Sequence, residues 1–170
     1  HKEIKAVILT HSETSTGVIN DLETISKYVV QHKNAITIAD CVTSIGACNV
    51  PMDSWGIDVI ASGSQKGYMI PPGLSFVAMS EKAWEAQSKS NLEKFYLDLY
   101  QYKKALKNDS NPFTPAVNLY FALETALTMM QEEGLNGIFN RHSKHRGACE
   151  AAMKSMGLDL LAAPGHGSPA

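Results

Sequence analysis

Cysteine is scarce in this 170-residue sequence: Cys41, Cys48 and Cys149 make an odd three, with no CxxC pair. A disulfide framework is thereby disfavoured, and a reducing compartment, the cytoplasm, is the expected location. Charge of one sign is missing as well. Lys and Arg number 15 against 17 Asp and Glu, a formal net charge of −2. With no basic stripe and no acidic tail, neither nucleic acid nor a membrane surface is an expected partner. The apolar runs are only a few residues long, far short of the roughly 20 that a membrane span needs. Arginine is confined to Arg141 and Arg146. No GxGxxG, Walker A loop or GxSxG elbow occurs, so dinucleotide-binding, nucleotide-hydrolase and α/β-hydrolase readings lack support. No internal repeat is visible.

What remains is an ordinary globular composition, 44% hydrophobic and 19% charged, long enough for a full core. Residues 4–10 (IKAVILT) form a β-branched apolar run that predicts a buried parallel strand. A polar loop, residues 11–17 (HSETSTG), follows. Asn20 is placed to cap a helix, with Glu23 returning the bond. That helix carries Leu22, Ile25 and Val29 on its apolar stripe and is expected to end near Lys33 and Asn34. Residues 35–39 predict a second strand running out at Asp40. After an irregular stretch containing Gly46 and Pro51, residues 57–61 predict a third. The loop SGSQK (62–66) and the turn Pro71-Pro72-Gly73 precede a fourth strand, 74–79. Beyond Ser80 the apolar period changes from 2 to 3.6, predicting helices over 81–89, 95–106, 115–133 and 135–156. Gly134 and Gly157 act as stops, and residues 158–161 could open another strand. The alternation predicts an α/β fold, a mostly parallel sheet flanked by helices. Both ends read as cut, the first shortly before a strand without an initiator Met and the last in a turn-rich stretch (164–170). The expectation is the middle of a longer protein.

One geometric consequence matters most. Three successive strands run out into polar residues, Ser15 after the first, Asp40 after the second and Lys66 after the third. In an open α/β sheet the carboxyl ends of parallel strands form the ligand crevice. A lysine there can condense with an aldehyde when neutral. An aspartate facing a pyridine nitrogen keeps it protonated, so that the ring withdraws electrons. Hydroxyls, amides and loop N–H groups can hold a phosphate. Each residue alone reads more simply as a turn, a cap or a solvated side chain, and only the combination describes a pyridoxal phosphate site.

The same segments resemble a known family. SGSQK (62–66), preceded by WGIDVIA (55–61) and followed by PPGLSFVAMS (71–80), is similar to the class V aminotransferases, most of all the alanine/serine–glyoxylate group. HSETSTG (11–17) and ADCVTSIG (39–46) match that family's two preceding motifs in order. Lys66 follows Asp40 by 26 residues, as in the family, and FTPAVNLYFALE (113–124) continues the match. The resemblance implies fold type I, pyridoxal 5′-phosphate, amino acid and 2-oxo acid substrates, and a homodimer with its active sites at the subunit interface. Residues 1–133 would belong to the large cofactor-binding domain. Residues 134–170 would be a helix leading into a truncated C-terminal small domain.

It also implies roles. Lys66 would be the Schiff-base lysine and the proton carrier. Asp40 would pair with the pyridinium nitrogen, Ser15 would contact the cofactor, Val42 would lie against the ring, and Gln65 would bind the phosphate. Thr114 would reach the phosphate of the neighbouring subunit. Asn111 stands where relatives often carry a tyrosine that supports this contact. The ring-stacking aromatic residue and the Gly-rich phosphate loop would lie before residue 1, and the substrate-carboxylate arginine after residue 170. The fragment alone would then be inactive. The alternatives are a cysteine desulfurase or lyase, which Gln65 before Lys66 disfavours, and a non-catalytic subunit of a larger complex.

Three other features read as structural. His142, His145 and Cys149 share a helix face, but Arg141, Lys144 and Arg146 surround them, so no metal site is expected. Cys41 lacks a histidine partner and reads as a small buried residue. Trp55 and Trp84 read as packing in the core or at its edge.

Overall fold

The structure, a computed structural model, describes residues 3–170. The first apolar run forms β1 (Ala6–Thr10), and residues 11–17 are more ordered than a plain loop. Ser12–Glu13 (β2) and Val18–Ile19 (β3) pair antiparallel as a small hairpin. Helix α1 (Leu22–Val30) then leads to β4 (Ile36–Asp40), the short α2 (Met52–Trp55) and β5 (Val59–Gly63). Strand β6 (Ser75–Met79) precedes α3 (Glu81–Ser88), α4 (Leu99–Leu106), α5 (Val117–Glu133) and α6 (Leu135–Ser155). The main sheet has the order β1-β4-β5-β6. Strands β1, β4 and β5 are parallel, while β6 returns antiparallel through the Pro71-Pro72-Gly73 turn. This is the mostly parallel α/β sheet that the sequence predicts.

Several local expectations need correction. The residue that caps α1 is Asp21, whose carboxylate accepts from Thr24 N at 3.0 Å. Asn20 sits one residue too early and instead donates from its amide to Thr10 O at 2.8 Å, tying β1 to the helix start. Glu23 pairs with Lys27, and α1 stops at Val30 rather than near Lys33. Strand β1 is not buried on both faces: it lies at the sheet edge and leaves Ile8 75% exposed. Helix α4 starts four residues late because Asp98 caps it at Tyr100 N, 3.2 Å. Phe95 and Tyr96, expected within that helix, stack on Phe113 instead, with ring centroids 5.4 and 4.8 Å apart.

Residues 158–161 form no strand. The tail pairs farther on, where Ile19 N donates to His166 O and Ser168 N to Gly17 O, both at 2.8 Å. Gly134 does break the helices as predicted. Its φ of 74° lies in the left-handed region, where glycine is favoured. Arg141 braces the α5–α6 corner by gripping Glu133 with two bonds, of 2.7 and 2.8 Å. Those bonds hold the Glu133 carboxyl below its usual range.

The core gathers Leu22, Ala39, Cys41, Ile57 and Ile60, with Trp55 and Met52 packed against it. Trp84 lies at the edge, under the ammonium of Lys103 at 4.2 Å. Beneath the sheet, Asp58 is buried and fully engaged. Its carboxylate accepts from Thr37 N (3.0 Å), the Ser80 hydroxyl (2.8 Å) and Lys82 Nζ (3.3 Å), stitching β4, β5 and α3 together. Removing this buried acceptor leaves the Thr37 N–H and the Ser80 hydroxyl without it and Lys82 with Ala35 O alone, at a cost well above that of a surface change. Asp58→Ala in the full-length protein should therefore lose about 2–3 kcal/mol in urea unfolding. A loss below about 0.5 kcal/mol, the range of an ordinary surface substitution, would show that this network does not hold the sheet.

Candidate active site

Because β1, β4 and β5 are parallel neighbours, their carboxyl ends open at one edge of the sheet, and three loops meet there. Their contacts are specific. His11 N donates to Asp40 O, and Cys41 N to Ala61 O, each at 2.9 Å. The hydroxyls of Thr14 and Thr43 meet at 2.9 Å, joining the first loop to the second. The second and third loops touch backbone to backbone at Gly46 and Gly67. A methyl group on Gly46 would lie 2.9 Å from Gly67 Cα, and one on Gly67 would collide with Ile45 O. Gly46 also has a φ of 84°, so neither its conformation nor its space suits another residue. This contact fixes the Lys66 loop against the loop that follows Asp40.

The rim therefore assembles Ser15, Asp40, Val42, Gln65 and Lys66 from three elements. Asp40 ends β4 with its carboxylate exposed, accepting from Val42 N at 3.0 Å. Lys66 is half-buried, and its ammonium makes no hydrogen bond or ion pair among the described residues. Its carbonyl accepts from Met69 N at 2.9 Å, closing a turn in which Met69 itself has φ 61°. A side chain added at Gly63 would meet Gln65 Oε1 at 3.0 Å and Val42 Cγ1 at 3.5 Å. Glycine there thus leaves a bare wall between those two side chains. Behind it, the buried Ser64 hydroxyl donates to Pro71 O at 2.8 Å and accepts from Leu74 N at 3.2 Å, locking the third loop to β6.

Ser15 is exposed, and both its N–H (2.9 Å) and its hydroxyl (2.6 Å) are given to Glu13, whose carboxyl they hold below its usual range. A ligand that needs this hydroxyl as a donor must compete with Glu13. Thr114 lies in the exposed stretch 107–116, whose residues 109–115 line an open cleft of their own. No hydrogen bond joins it to the rim among the described residues. Asn111, in the same stretch, accepts from the Tyr120 hydroxyl at 3.2 Å.

Sequence reasoning passed over His11 and Ser44. Both are buried, and His11 Nδ1 lies 2.9 Å from Ser44 Oγ. Burial pushes the His11 imidazole below its ordinary range, towards the neutral form. The only signal was a histidine directly after an apolar strand, which reads equally well as a loop residue.

Cys41 is fully buried, as expected of a small core residue, and burial pushes its thiol up to about 11. Cys48 rises to about 11 for the same reason. His142 Nδ1 lies 3.1 Å from Pro169 O, and Arg146 donates to Gly167 O at 2.8 Å. Among the described residues no group of three His, Cys, Asp or Glu side chains could hold a metal ion. No helix of the described residues is long and apolar enough to cross a membrane.

Comparison with known proteins fits this geometry. The family model for class-V aminotransferases matches residues 1–166. A Synechococcus sp. protein named as the small subunit of a soluble hydrogenase is 60% identical over 99% of this chain and 44% of its own length. The serine–glyoxylate aminotransferase of Hyphomicrobium methylovorum is 38% identical over 94% of this chain and 40% of its own length. The crystal structure of an alanine–glyoxylate aminotransferase from Nostoc sp. superposes with a TM-score of 0.91 at 31% identity, covering 97% of this chain and 44% of that one. The chain thus spans less than half the length of these relatives.

Proposed function

The chain belongs to the class V aminotransferases, and from that premise we propose that the full-length protein uses pyridoxal 5′-phosphate to move an amino group from alanine or serine to glyoxylate. The cofactor is an electron sink that stabilises negative charge at a substrate α-carbon. The rim's donor set fits it: a free amine, a carboxylate, a hydroxyl, an amide and a bare glycine wall. Lys66 would hold it through its ε-amine and afterwards carry a proton at the reacting carbon. Asp40 would hold the proton on the pyridine nitrogen. Val42 would lie against the ring, and Gln65 and Ser15 would bind polar groups of the cofactor. Thr114 would serve the second subunit of a homodimer. The exposed Phe95, which stacks on Phe113 beside it, supports such an interface. Residues 1–133 would form part of the cofactor domain and 134–170 the passage into a smaller one.

The observation that carries this reading is the convergence of an aspartate and a lysine, unpaired among the described residues, on adjacent parallel strand ends. A desulfurase needs a reactive thiolate; of the three cysteines here, Cys41 and Cys48 have the opposite character and only Cys149 is exposed. A second reading, a subunit of a larger assembly, is favoured by the name of the Synechococcus relative.

Assay of homogeneous full-length protein with alanine or serine and glyoxylate separates them. Glycine formation supports the proposal. No amino transfer, with the protein recovered only in a complex, supports the second reading. The 170-residue chain alone should show no turnover. A substrate carboxylate is best held by a bidentate guanidinium, and both arginines here are spent on Glu133 and on Glu150 with Gly167. Intact mass measured beside activity checks this, and enzyme-like turnover by a verified 170-residue species would refute it.

A further inference from the structure

We propose that His11 is a positioning residue for Asp40, acting through Ser44; this rests on the reading of Asp40 as the pyridinium partner. Among the described residues Asp40's own carboxylate is held only by Val42 N, so its aim depends on the peptides around it. His11 reaches the two peptides that follow Asp40, the first directly and the second through Ser44. Its backbone N–H donates to Asp40 O at 2.9 Å. Its ring meets Ser44 Oγ at 2.9 Å, and that hydroxyl lies 3.5 Å from Cys41 O, the next carbonyl along. With the hydroxyl proton directed at Cys41 O, Nδ1 of His11 carries the ring proton and donates to Ser44. The ring cannot drift, because Trp55 of α2 packs edge-on against it, with centroids 5.9 Å apart at 86°. His11 is 3% exposed and Ser44 fully buried, so water does not compete for the bond. Nothing in this arrangement reaches the ligand crevice directly. Its effect on chemistry passes through the direction of the Asp40 carboxylate.

The test uses the full-length protein with two substitutions. His11→Phe keeps a ring against Trp55 and loses Nδ1, whereas His11→Asn places an amide nitrogen near the Nδ1 position. In the cofactor-free protein, hydrogen exchange at the Cys41 and Val42 amides should quicken about tenfold or more in His11→Phe and return close to wild type in His11→Asn. In the loaded protein, His11→Phe should lower kcat roughly 10–100-fold with little change in KM. Nitrogen NMR of isotopically labelled cofactor should show reduced protonation of the pyridine. If His11→Phe does not fold, Ser44→Ala breaks the same bond from the other side and carries the same expectations.

Wild-type exchange and nitrogen protonation in a folded His11→Phe protein would overturn the proposal, as would equal damage from Asn and Phe. Asp40→Asn, run in parallel, distinguishes the underlying reading. Should that variant keep full protonation and turnover, the role of Asp40 fails, while the exchange data still report whether His11 holds its loop.

Discussion

Lys66→Ala in the full-length protein is expected to reduce amino transfer by about 10³-fold or more while the far-UV circular dichroism stays unchanged. The two halves of that expectation have separate grounds. Lys66 is half-buried and unpaired among the described residues, so its side chain contributes little to stability, and truncation falls among ordinary surface changes. Its turn is built from backbone, with Met69 N on Lys66 O and Gly67 against Gly46, and alanine preserves both. The chemical loss is of another order, because Lys66 alone among the described residues is argued to hold an aldehyde and carry the proton. Lys82 is tied to Ala35 O and Asp58, at the opposite ends of β4 and β5, and Lys89 to Glu85 on α3. Turnover within tenfold of wild type in a folded, cofactor-loaded variant would remove Lys66 from the chemistry.

Asp40→Asn should follow closely, with turnover lower by roughly 10²–10³-fold and the fold intact. Asparagine keeps the oxygen that accepts from Val42 N, so the loop stays capped. What it lacks is the negative charge that holds a proton on a facing pyridine nitrogen. The substitution therefore isolates electrostatics from shape. Steady-state rates beside the quantity of bound cofactor check it. A near-normal rate with cofactor bound would show that the pyridine nitrogen has another partner.

Much of this was legible in the sequence because it rests on short-range pattern. Apolar β-branched runs gave the strands that end near Asp40 and Lys66, and parallel neighbours in a sheet bring such ends together without further information. Glycine stops gave the break at Gly134. The failures share a cause: each depends on a partner distant in the chain. Asn20 was drawn away from capping by Thr10 O, and Phe95 and Tyr96 left their predicted helix to pack on Phe113. The tail at His166 and Ser168 found the hairpin edge that residues 158–161 did not. His11 lies within the HSETSTG motif yet carries no local sign of its role, which depends on Ser44, 33 positions later, and on Trp55. The Gly46–Gly67 approach was equally silent, since a glycine in a loop does not say what it touches.

Lys66 is proposed as the residue through which this protein holds an aldehyde cofactor. Borohydride reduction of the full-length protein loaded with pyridoxal 5′-phosphate, followed by proteolysis and peptide mass mapping, tests it most directly. The phosphopyridoxyl mass is expected on the peptide bearing Ser64-Gln65-Lys66-Gly67. The same mass on Lys82 or Lys89, or its absence from every lysine of a loaded protein, would contradict it.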